Sequence, residues 1–270
     1  MQNTANSCNI VENMVNFIAK YGTMLKEERL EFIINQLKSN PSVKLGQLSE
    51  ALKVSEDTVR RDIESLAKHG LLTKVRGGAI PHSPNAHSFK ERIHNSEREK
   101  GIIAKKALEL VQPGCTILLD GGTTTYALAG LLSGPLTVIT NNIPIASLLA
   151  GRINVDVIIT GGRILPDSLV TAGNYAIQLL EQSHVDMCFL GVCSLHHEIG
   201  VSSIDYFECE MKRAMVNCSD KIVALTGQNK VGTAESFKIC AIDMLDFIVT
   251  EIDPENEIFD PYRQRNIQIL

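Results

Sequence analysis

Ser55-Glu56-Asp57-Thr58-Val59-Arg60-Arg61-Asp62-Ile63-Glu64-Ser65-Leu66-Ala67-Lys68-His69-Gly70 is the stretch on which the front of this chain turns. Ser55 suits an N-cap, its hydroxyl accepting a backbone N–H of the first turn. Glu56 and Asp57 follow at the positive end of the helix dipole, where negative charge is favoured. Val59, Ile63 and Leu66 recur at helical spacing and mark a buried stripe. Gly70 supplies the C-terminal stop. Thr58, Arg60 and Arg61 are left for the outer face near the N-terminal end. A helix that enters a DNA major groove needs hydrogen-bonding and cationic side chains there.

The flanks extend this reading. Leu30, Ile33, Ile34 and Leu37 give the spacing of a core-facing helix, which Asn40-Pro41-Ser42 ends. Leu45, Leu48 and Leu52 mark a second short helix, separated from Ser55 only by Lys53-Val54; so brief a connection is the helix-turn-helix arrangement. Downstream, the β-prone runs Leu71–Val75 and Ala79-Ile80 flank Arg76-Gly77-Gly78, predicting a basic hairpin, or wing. Lys74 and Arg76 would lie near phosphates.

Glu28-Arg29, Val43 with Leu45 and Leu48, Val54-Ser55 with Thr58-Val59-Arg60-Arg61-Asp62-Ile63, Gly70-Leu71 and Arg76-Gly77-Gly78-Ala79 together closely resemble the N-terminal winged helix of the DeoR family of bacterial transcriptional regulators. The resemblance implies contact with double-stranded operator DNA through Ser55, Thr58, Arg60, Arg61, Lys74 and Arg76. Members commonly carry Arg where this chain has Lys74, which keeps the charge and loses the bidentate fork.

A chain of 270 residues suits one small and one ordinary domain. Hydrophobic residues make up 44% and charged residues 21%, as in soluble globular proteins. No apolar run approaches the ~20 residues of a membrane span, so no membrane partner is expected. The seven cysteines show no C-x-x-C pair or framework spacing, which points to reduced thiols in a cytoplasm. The net charge of −5 argues against nucleic acid until it is divided. Residues 24–80 carry ten Lys/Arg and eight Asp/Glu; residues 81–270 carry fifteen and twenty-two. An acidic body is repelled by a duplex, which leaves the mildly basic front as the contact surface.

Residues 1–23 have two readings, an amphipathic extension around Ile10 to Ile18 or an initiation site assigned too far upstream; the second is favoured. Residues 24–80 form the DNA-binding unit. Residues 81–95, with Pro81, Pro84, His82, His87 and His94, are predicted as linker and not as a metal site, since no carboxylate or Cys cluster accompanies the histidines. From 96 to 270 the chain alternates short β-branched runs with helical ones. Strands are expected at 116–119, 136–139, 155–159, 185–190, 221–225 and 247–249, and helices at about 102–111, 124–132, 143–150, 173–182 and 206–218. Continuous apolar strands suggest burial on both faces, hence a mostly parallel α/β sheet.

Ligands of such sheets bind beyond the carboxyl ends of the strands. The segments there are Asp120-Gly121-Gly122-Thr123-Thr124-Thr125, Thr140-Asn141-Asn142, Thr160-Gly161-Gly162-Arg163, Gly191 and Thr226-Gly227-Gln228-Asn229-Lys230-Val231-Gly232. Their chemistry suits a small polyhydroxylated anion. The helix N-terminus after Gly122 would take a phosphate, with Asp120, Asn141, Asn142 and Lys230 for hydroxyls. The chain shows neither a Walker lysine nor a G-x-G-x-x-G strand-turn-helix, so a nucleotide is disfavoured, and no cofactor is expected.

These loops, together with Glu208 and Lys212-Arg213-Ala214-Met215, resemble the DeoR C-terminal sensor domain. That likeness implies a fold similar to ribose-5-phosphate isomerase and glucosamine-6-phosphate deaminase, and a phosphorylated sugar as effector. The implied effector site comprises Asp120, Gly122, Thr123, Thr124, Asn141, Asn142, Gly161, Gly162, Glu208 and Lys230. Where the family has Ala-Asp-Ser-Ser-Lys-Phe-Gly or similar, this chain has Gly227 in place of the acidic residue. Cys188, Cys193, His196 and His197 fall close together, yet zinc needs convergent ligands and Cys188 sits inside a strand, so no metal is expected.

Two functions compete. One is a DNA-binding repressor of carbohydrate genes, a homodimer or homotetramer controlled by a sugar phosphate. The other is a sugar-phosphate isomerase or deaminase bearing an extra N-terminal module, with Asp120, Glu208 and Lys230 moving the proton. Gly227 and the specific winged helix favour the regulator.

Overall fold

Three short helices and a three-stranded sheet build the N-terminal part of the computed structural model, which describes residues 24–40, 42–68, 71–81 and 88–270. The 1–23 segment, Gly70, His82 and His87 lie outside the described residues, as do the expectations that fell on them. Elements are numbered in chain order among the described residues. The chain divides into two compact units between residues 82 and 83.

In the first unit, α1 (Lys26–Ser39), α2 (Leu45–Leu52) and α3 (Glu56–Lys68) pack with β1 (Val43–Lys44), β2 (Leu72–Val75) and β3 (Gly78–Pro81). Ile33, Leu37, Leu48, Leu52, Val59, Ile63, Leu66 and Leu72 close one core, as the helical spacing predicts. Between α2 and α3, Lys53 takes the left-handed conformation at φ 52° and Ser49 Oγ donates to the Val54 carbonyl at 2.6 Å. The strand β1 is an addition to the expected hairpin, giving the order β1-β3-β2. It explains the paired glycines. Gly77 turns the hairpin at φ +87°, while a Cβ on Gly78 would stand 1.9 Å from the Val43 carbonyl oxygen.

The second unit opens with α4 (Phe89–Ile93) and α5 (Glu97–Leu108). Both correct the sequence reading. Residues 88–93 are a capped helix and not linker, and α5 starts five residues before the expected 102. The capping box of Ser88 and Glu91 stabilises a turn too short for apolar periodicity to reveal.

A seven-stranded sheet follows, in the order β15-β14-β12-β9-β4-β5-β6, with every pairing parallel. Its strands are β4 (Thr116–Leu119), β5 (Leu136–Thr140), β6 (Val155–Ile159), β9 (Val185–Gly191), β12 (Ser219–Leu225), β14 (Phe247–Val249) and β15 (Gln268–Ile269). Side chains alternate between two cores. Ile117, Leu119, Met187 and Phe189 face α5, α6 (Thr123–Leu131) and α7 (Ile143–Leu149). Leu118, Cys188 and Leu190 face α8 (Asn174–Glu181) and α9 (Tyr206–Asn217). β6 departs from the expectation of burial on both faces: it is an edge strand, and Ile158 and Ile159 are exposed.

Two antiparallel pieces, unseen in the sequence, flank this sheet. β7 (Arg163–Leu165) and β8 (Val170–Ala172) form a hairpin, while β10 (Ser194–His196), β11 (Gly200–Ser203) and β13 (Phe237–Cys240) form a small sheet. From β4 the chain proceeds to β5 and β6 on one side; from β9 it proceeds to β12, β14 and β15 on the other. The β4/β9 boundary is thus the topological switch point, where a crevice opens beyond the strand ends.

Candidate functional site

The crevice at that boundary is spanned at its floor by an ion pair. Asp120, directly after β4, is 1% exposed, and Lys212 on α9 is 2% exposed. The Lys212 ammonium donates to Asp120 Oδ2 and, at 2.6 Å, to the Gly191 carbonyl. Gly191 N donates to the same carboxylate at 2.9 Å, so β4, β9 and α9 are tied at one point. Burial opposes the charge on Lys212, and the Asp120 carboxylate, with Cys193 and Glu208 acting the same way, outweighs it and holds the ammonium above its ordinary pKa.

Above this pair lies a cavity of about 710 Å³. One wall is Gly121, Gly122, Thr123 and Thr124 at the N-terminus of α6. Gly122 offers no side-chain cap, which leaves the first-turn N–H groups for a ligand. A second wall is the β7–β8 turn with Asp167 and Ser168; a third is Val192 and Cys193; a fourth is Asp205 and Glu208 at the start of α9. Lys230 and, from α4, Ser88, Glu91 and Arg92 complete it.

Gly122, Thr123, Thr124, Glu208 and Lys230 therefore meet at the cavity as the sequence suggested. Asp120 sits beneath it and acts through Lys212. Asn141, Asn142, Gly161 and Gly162 do not border it. Asn142 Oδ1 caps α7 by accepting from Ile145 N at 2.9 Å, and the Asn141 carbonyl accepts from Thr171 N at 2.7 Å. These two residues clasp the β7–β8 hairpin and so place the wall that carries Asp167. Gly162, at φ +108°, would put a Cβ 2.6 Å from the Ala172 carbonyl oxygen, which makes it a packing requirement of the same hairpin.

The sequence reading missed Arg92, Asp167, Asp205 and, as the partner of Asp120, Lys212. A signal existed for one of them: Lys212 stands in the quoted segment that resembles the sensor domain. Beside Gly227, Glu251 Oε1 accepts from Gln228 N at 2.9 Å at the start of the turn bearing Lys230.

Lys230 Nζ donates to the Val192 carbonyl at 2.7 Å. Burial lowers its pKa, and Arg92, Lys212 and Lys100 push the same way against Cys193, bringing it to about 8. An anion in the cavity favours the charged ammonium, so its affinity should fall as pH rises through that value. A phosphate monoester is already largely dianionic at pH 7. Affinity for one should drop roughly tenfold between pH 7 and 9 if the complex keeps Lys230 protonated. Calorimetric titration at both pH values checks this, and Lys230→Gln should flatten the profile.

The Cys/His group does not converge. Cys188 is buried in β9, where burial raises its thiol pKa, and His196 Nδ1 accepts from Glu198 N at 3.2 Å while its ring stacks on His197. Among the described residues no three His, Cys, Asp or Glu side chains gather as a metal requires. No described helix is long and apolar enough to cross a membrane.

In the first unit, Ser55 Oγ caps α3 by accepting from Thr58 N at 3.2 Å. Arg60 and Arg61 are exposed beside Asp57, with Arg61 2.8 Å from its carboxylate. Such surface pairs contribute little and exchange readily for phosphates. Arg76 is exposed at the hairpin turn. Lys74 is exposed too, 2.5 Å from Glu64 of α3 in a surface pair of the same kind. Asp62 of the same motif is buried and faces Arg29 of α1, 2.8 Å away.

A helix-turn-helix with a wing, followed by a parallel α/β unit with a cavity at its switch point, defines a ligand-responsive DNA-binding regulator. The chain belongs to the DeoR family of transcriptional regulators. The DeoR-like helix-turn-helix domain matches residues 29–84 and the DeoR C-terminal sensor domain residues 95–252. The HTH-type transcriptional regulator GolR of Listeria innocua is 32% identical over 91% of this chain and 98% of its own length. The HTH-type transcriptional repressor GlcR of Bacillus subtilis is 29% identical over 92% of this chain and 96% of its own. The glycerol-3-phosphate regulon repressor of Escherichia coli is 27% identical over 91% and 99%. Ribose 5-phosphate isomerase A of Neisseria gonorrhoeae superposes on 48% of this chain and 52% of its own at TM-score 0.36 and 19% identity, too slight a likeness to bear on function.

Proposed function

We propose that this protein represses carbohydrate-metabolism genes by binding operator DNA through α3 and the wing, and that a phosphorylated sugar in the sensor cavity weakens that binding. The observation that carries the effector reading is the cavity itself. An uncapped helix N-terminus and Lys230 can receive a phosphate, while Asp167, Asp205 and Glu208 can accept from sugar hydroxyls. The names of the relatives, among them a glycerol-3-phosphate regulon repressor, support the same ligand class. Asp120 is held by Lys212 and Gly191, which argues against its use as the mobile base of an isomerase, and the protein is read as a regulator without turnover.

A thermal-shift panel of ribose 5-phosphate, glucose 6-phosphate, glucosamine 6-phosphate and glycerol 3-phosphate, each beside its unphosphorylated parent, tests the effector class. Binding to the folded state raises the melting temperature. Equal behaviour of each phosphate and its parent would refute the phosphate reading, and product formation in the same mixtures would restore the enzyme.

Ser55, Thr58, Arg60, Arg61 and Arg76 are proposed to face DNA, with Lys74 freed for phosphate only if it leaves Glu64. Replacing Arg60 or Arg61 with Ala should cost about 1–3 kcal/mol of operator affinity and leave melting unchanged. Fluorescence anisotropy on a selected duplex measures this; an unaltered double variant would remove α3 from the interface.

Two-fold operators match two-fold proteins, so a homodimer or homotetramer is proposed. The exposed Ile158 and Ile159 on the edge strand β6 support it. Sedimentation velocity at micromolar concentration should show no monomer; a dominant monomer contradicts the assembly.

A further inference from the structure

The seven-stranded sheet has one long open edge. Its β15 end is a strand of two residues, whereas β6 runs for five, Val155-Asp156-Val157-Ile158-Ile159. Among the described residues β6 pairs only with β5, in an unbroken register. The strand lacks the usual protections of an edge, having no proline, lysine or bulge, and Asp156 is its one charge. Ile158 and Ile159 are exposed, while Val155 and Val157 are half-buried against the core that includes α7. Such an edge is a template for another strand.

The backbone shows where that strand would sit. Leu136 N donates to the Asn154 carbonyl and Thr160 N to the Thr140 carbonyl, both at 3.0 Å. In a parallel ladder the N–H and C=O of one residue turn to the same neighbour, and those of the next residue turn away. Val155, Val157 and Ile159 therefore present theirs outward. Val155 N is turned back on the Arg152 carbonyl at 3.4 Å, and Gly161, at φ +70°, ends the extended run. The open segment is 156–160, with Ile158 at its centre.

Two identical edges pair antiparallel across a two-fold axis, and such a contact closes on itself. Pairing β6 with β15 of another copy would be head-to-tail and would rest on the two-residue strand. With the axis at Ile158, Val157 of each copy lies opposite Ile159 of the other and exchanges N–H···O=C bonds with it in both directions. Ile158 then meets its own counterpart in a close pair, and Asp156 meets Thr160. Apolar faces apolar and polar faces polar. An axis at Val157 would set Asp156 against Ile158, and an axis at Asp156 would oppose like charges, which is destabilising.

Resting on the proposed self-association, we infer that two copies of this chain join edge to edge through β6, antiparallel about Ile158, into one continuous sheet.

The test compares full-length wild type, Ile158→Lys, Ile158→Cys and Asp156→Cys. Sedimentation velocity at micromolar concentration gives the mass, and non-reducing electrophoresis after copper-phenanthroline oxidation gives the register. Ile158→Lys brings two ammonium groups together on the axis. Its dissociation constant should rise by about 100-fold or more, and its mass should fall to half that of wild type with an unchanged circular dichroism spectrum. A close antiparallel pair holds its Cα atoms about 4.5 Å apart, within reach of a disulfide. Ile158→Cys should therefore give a cross-linked dimer that wild type lacks, and Asp156→Cys should not. A monomeric wild type overturns the self-association and this inference with it. Ile158→Lys at full wild-type mass overturns the β6 seam and leaves self-association standing. Cross-linking of Asp156→Cys in place of Ile158→Cys overturns the register. If Ile158→Lys fails to fold, the cross-link decides alone, and its absence in Ile158→Cys overturns the seam.

Discussion

Replacing Asp62 with Ala should unfold the winged helix under conditions that leave the sensor unit folded. Asp62 is 2% exposed, and its two oxygens accept from Arg29 Nε at 2.8 Å and Nη2 at 3.2 Å. Arg29 Nη1 donates to the Met24 carbonyl at 3.0 Å, so the guanidinium closes α1 onto α3. A guanidinium stays protonated without any partner, so the Arg29 charge remains when Asp62 is removed. Breaking a buried pair from one side costs about 3–5 kcal/mol. Small domains have total stabilities near the low end of roughly 5–15 kcal/mol. The loss therefore removes most of what holds this unit, and operator binding goes with it. Denaturant titration followed by circular dichroism should resolve an early transition for Asp62→Ala that wild type lacks. The double variant Arg29→Met, Asp62→Leu should recover most of the loss, since no stranded charge remains. A single variant within about 1 kcal/mol of wild type, the range of most surface substitutions, would show that the pair does not hold the helices.

Lys212→Met should have the corresponding effect in the sensor unit. It strands the Asp120 carboxylate at the floor of the cavity with the Gly191 N–H still donating to it. The same cost of about 3–5 kcal/mol applies. For a unit of this size each kcal/mol lowers the melting temperature by about 2–4 °C, which places the shift at roughly 6–20 °C. Asp120→Asn strands Lys212 in turn, and the double variant Asp120→Leu, Lys212→Met should melt above either single one. Scanning calorimetry separates these cases. If Lys212→Met melted within about 2 °C of wild type, the tie between β4, β9 and α9 would be energetically idle. Arg60 and Arg61 provide the contrast: they carry the same motif as Asp62, yet stand exposed, so their loss should touch affinity and not melting.

Much of the architecture was legible because burial leaves a period in the sequence. Val59, Ile63 and Leu66 mark one helical stripe, and the runs 116–119, 155–159 and 247–249 appear as strands with those bounds. Ser55 as a cap was legible too, since its hydroxyl acts three residues away. These signals are local. What they could not supply is a partner distant in the chain. Nothing in Arg60-Arg61-Asp62 distinguishes the buried charge from the exposed ones until Arg29 arrives from 33 residues earlier. The polar loop around Asp120 suggests a hydroxyl acceptor; Lys212, 92 residues on, occupies its carboxylate. Asn141 and Asn142 have the composition of a binding loop and serve as a clasp, because the β7–β8 hairpin folds back over them. The short α4 has no period to detect, yet it closes the cavity with Arg92. Sequence alone determined the main helices and the central strands, and that a winged helix precedes a parallel α/β unit. Tertiary structure decided which charges are neutralised and which face the cavity, because desolvation acts on each group according to whatever the fold brings against it.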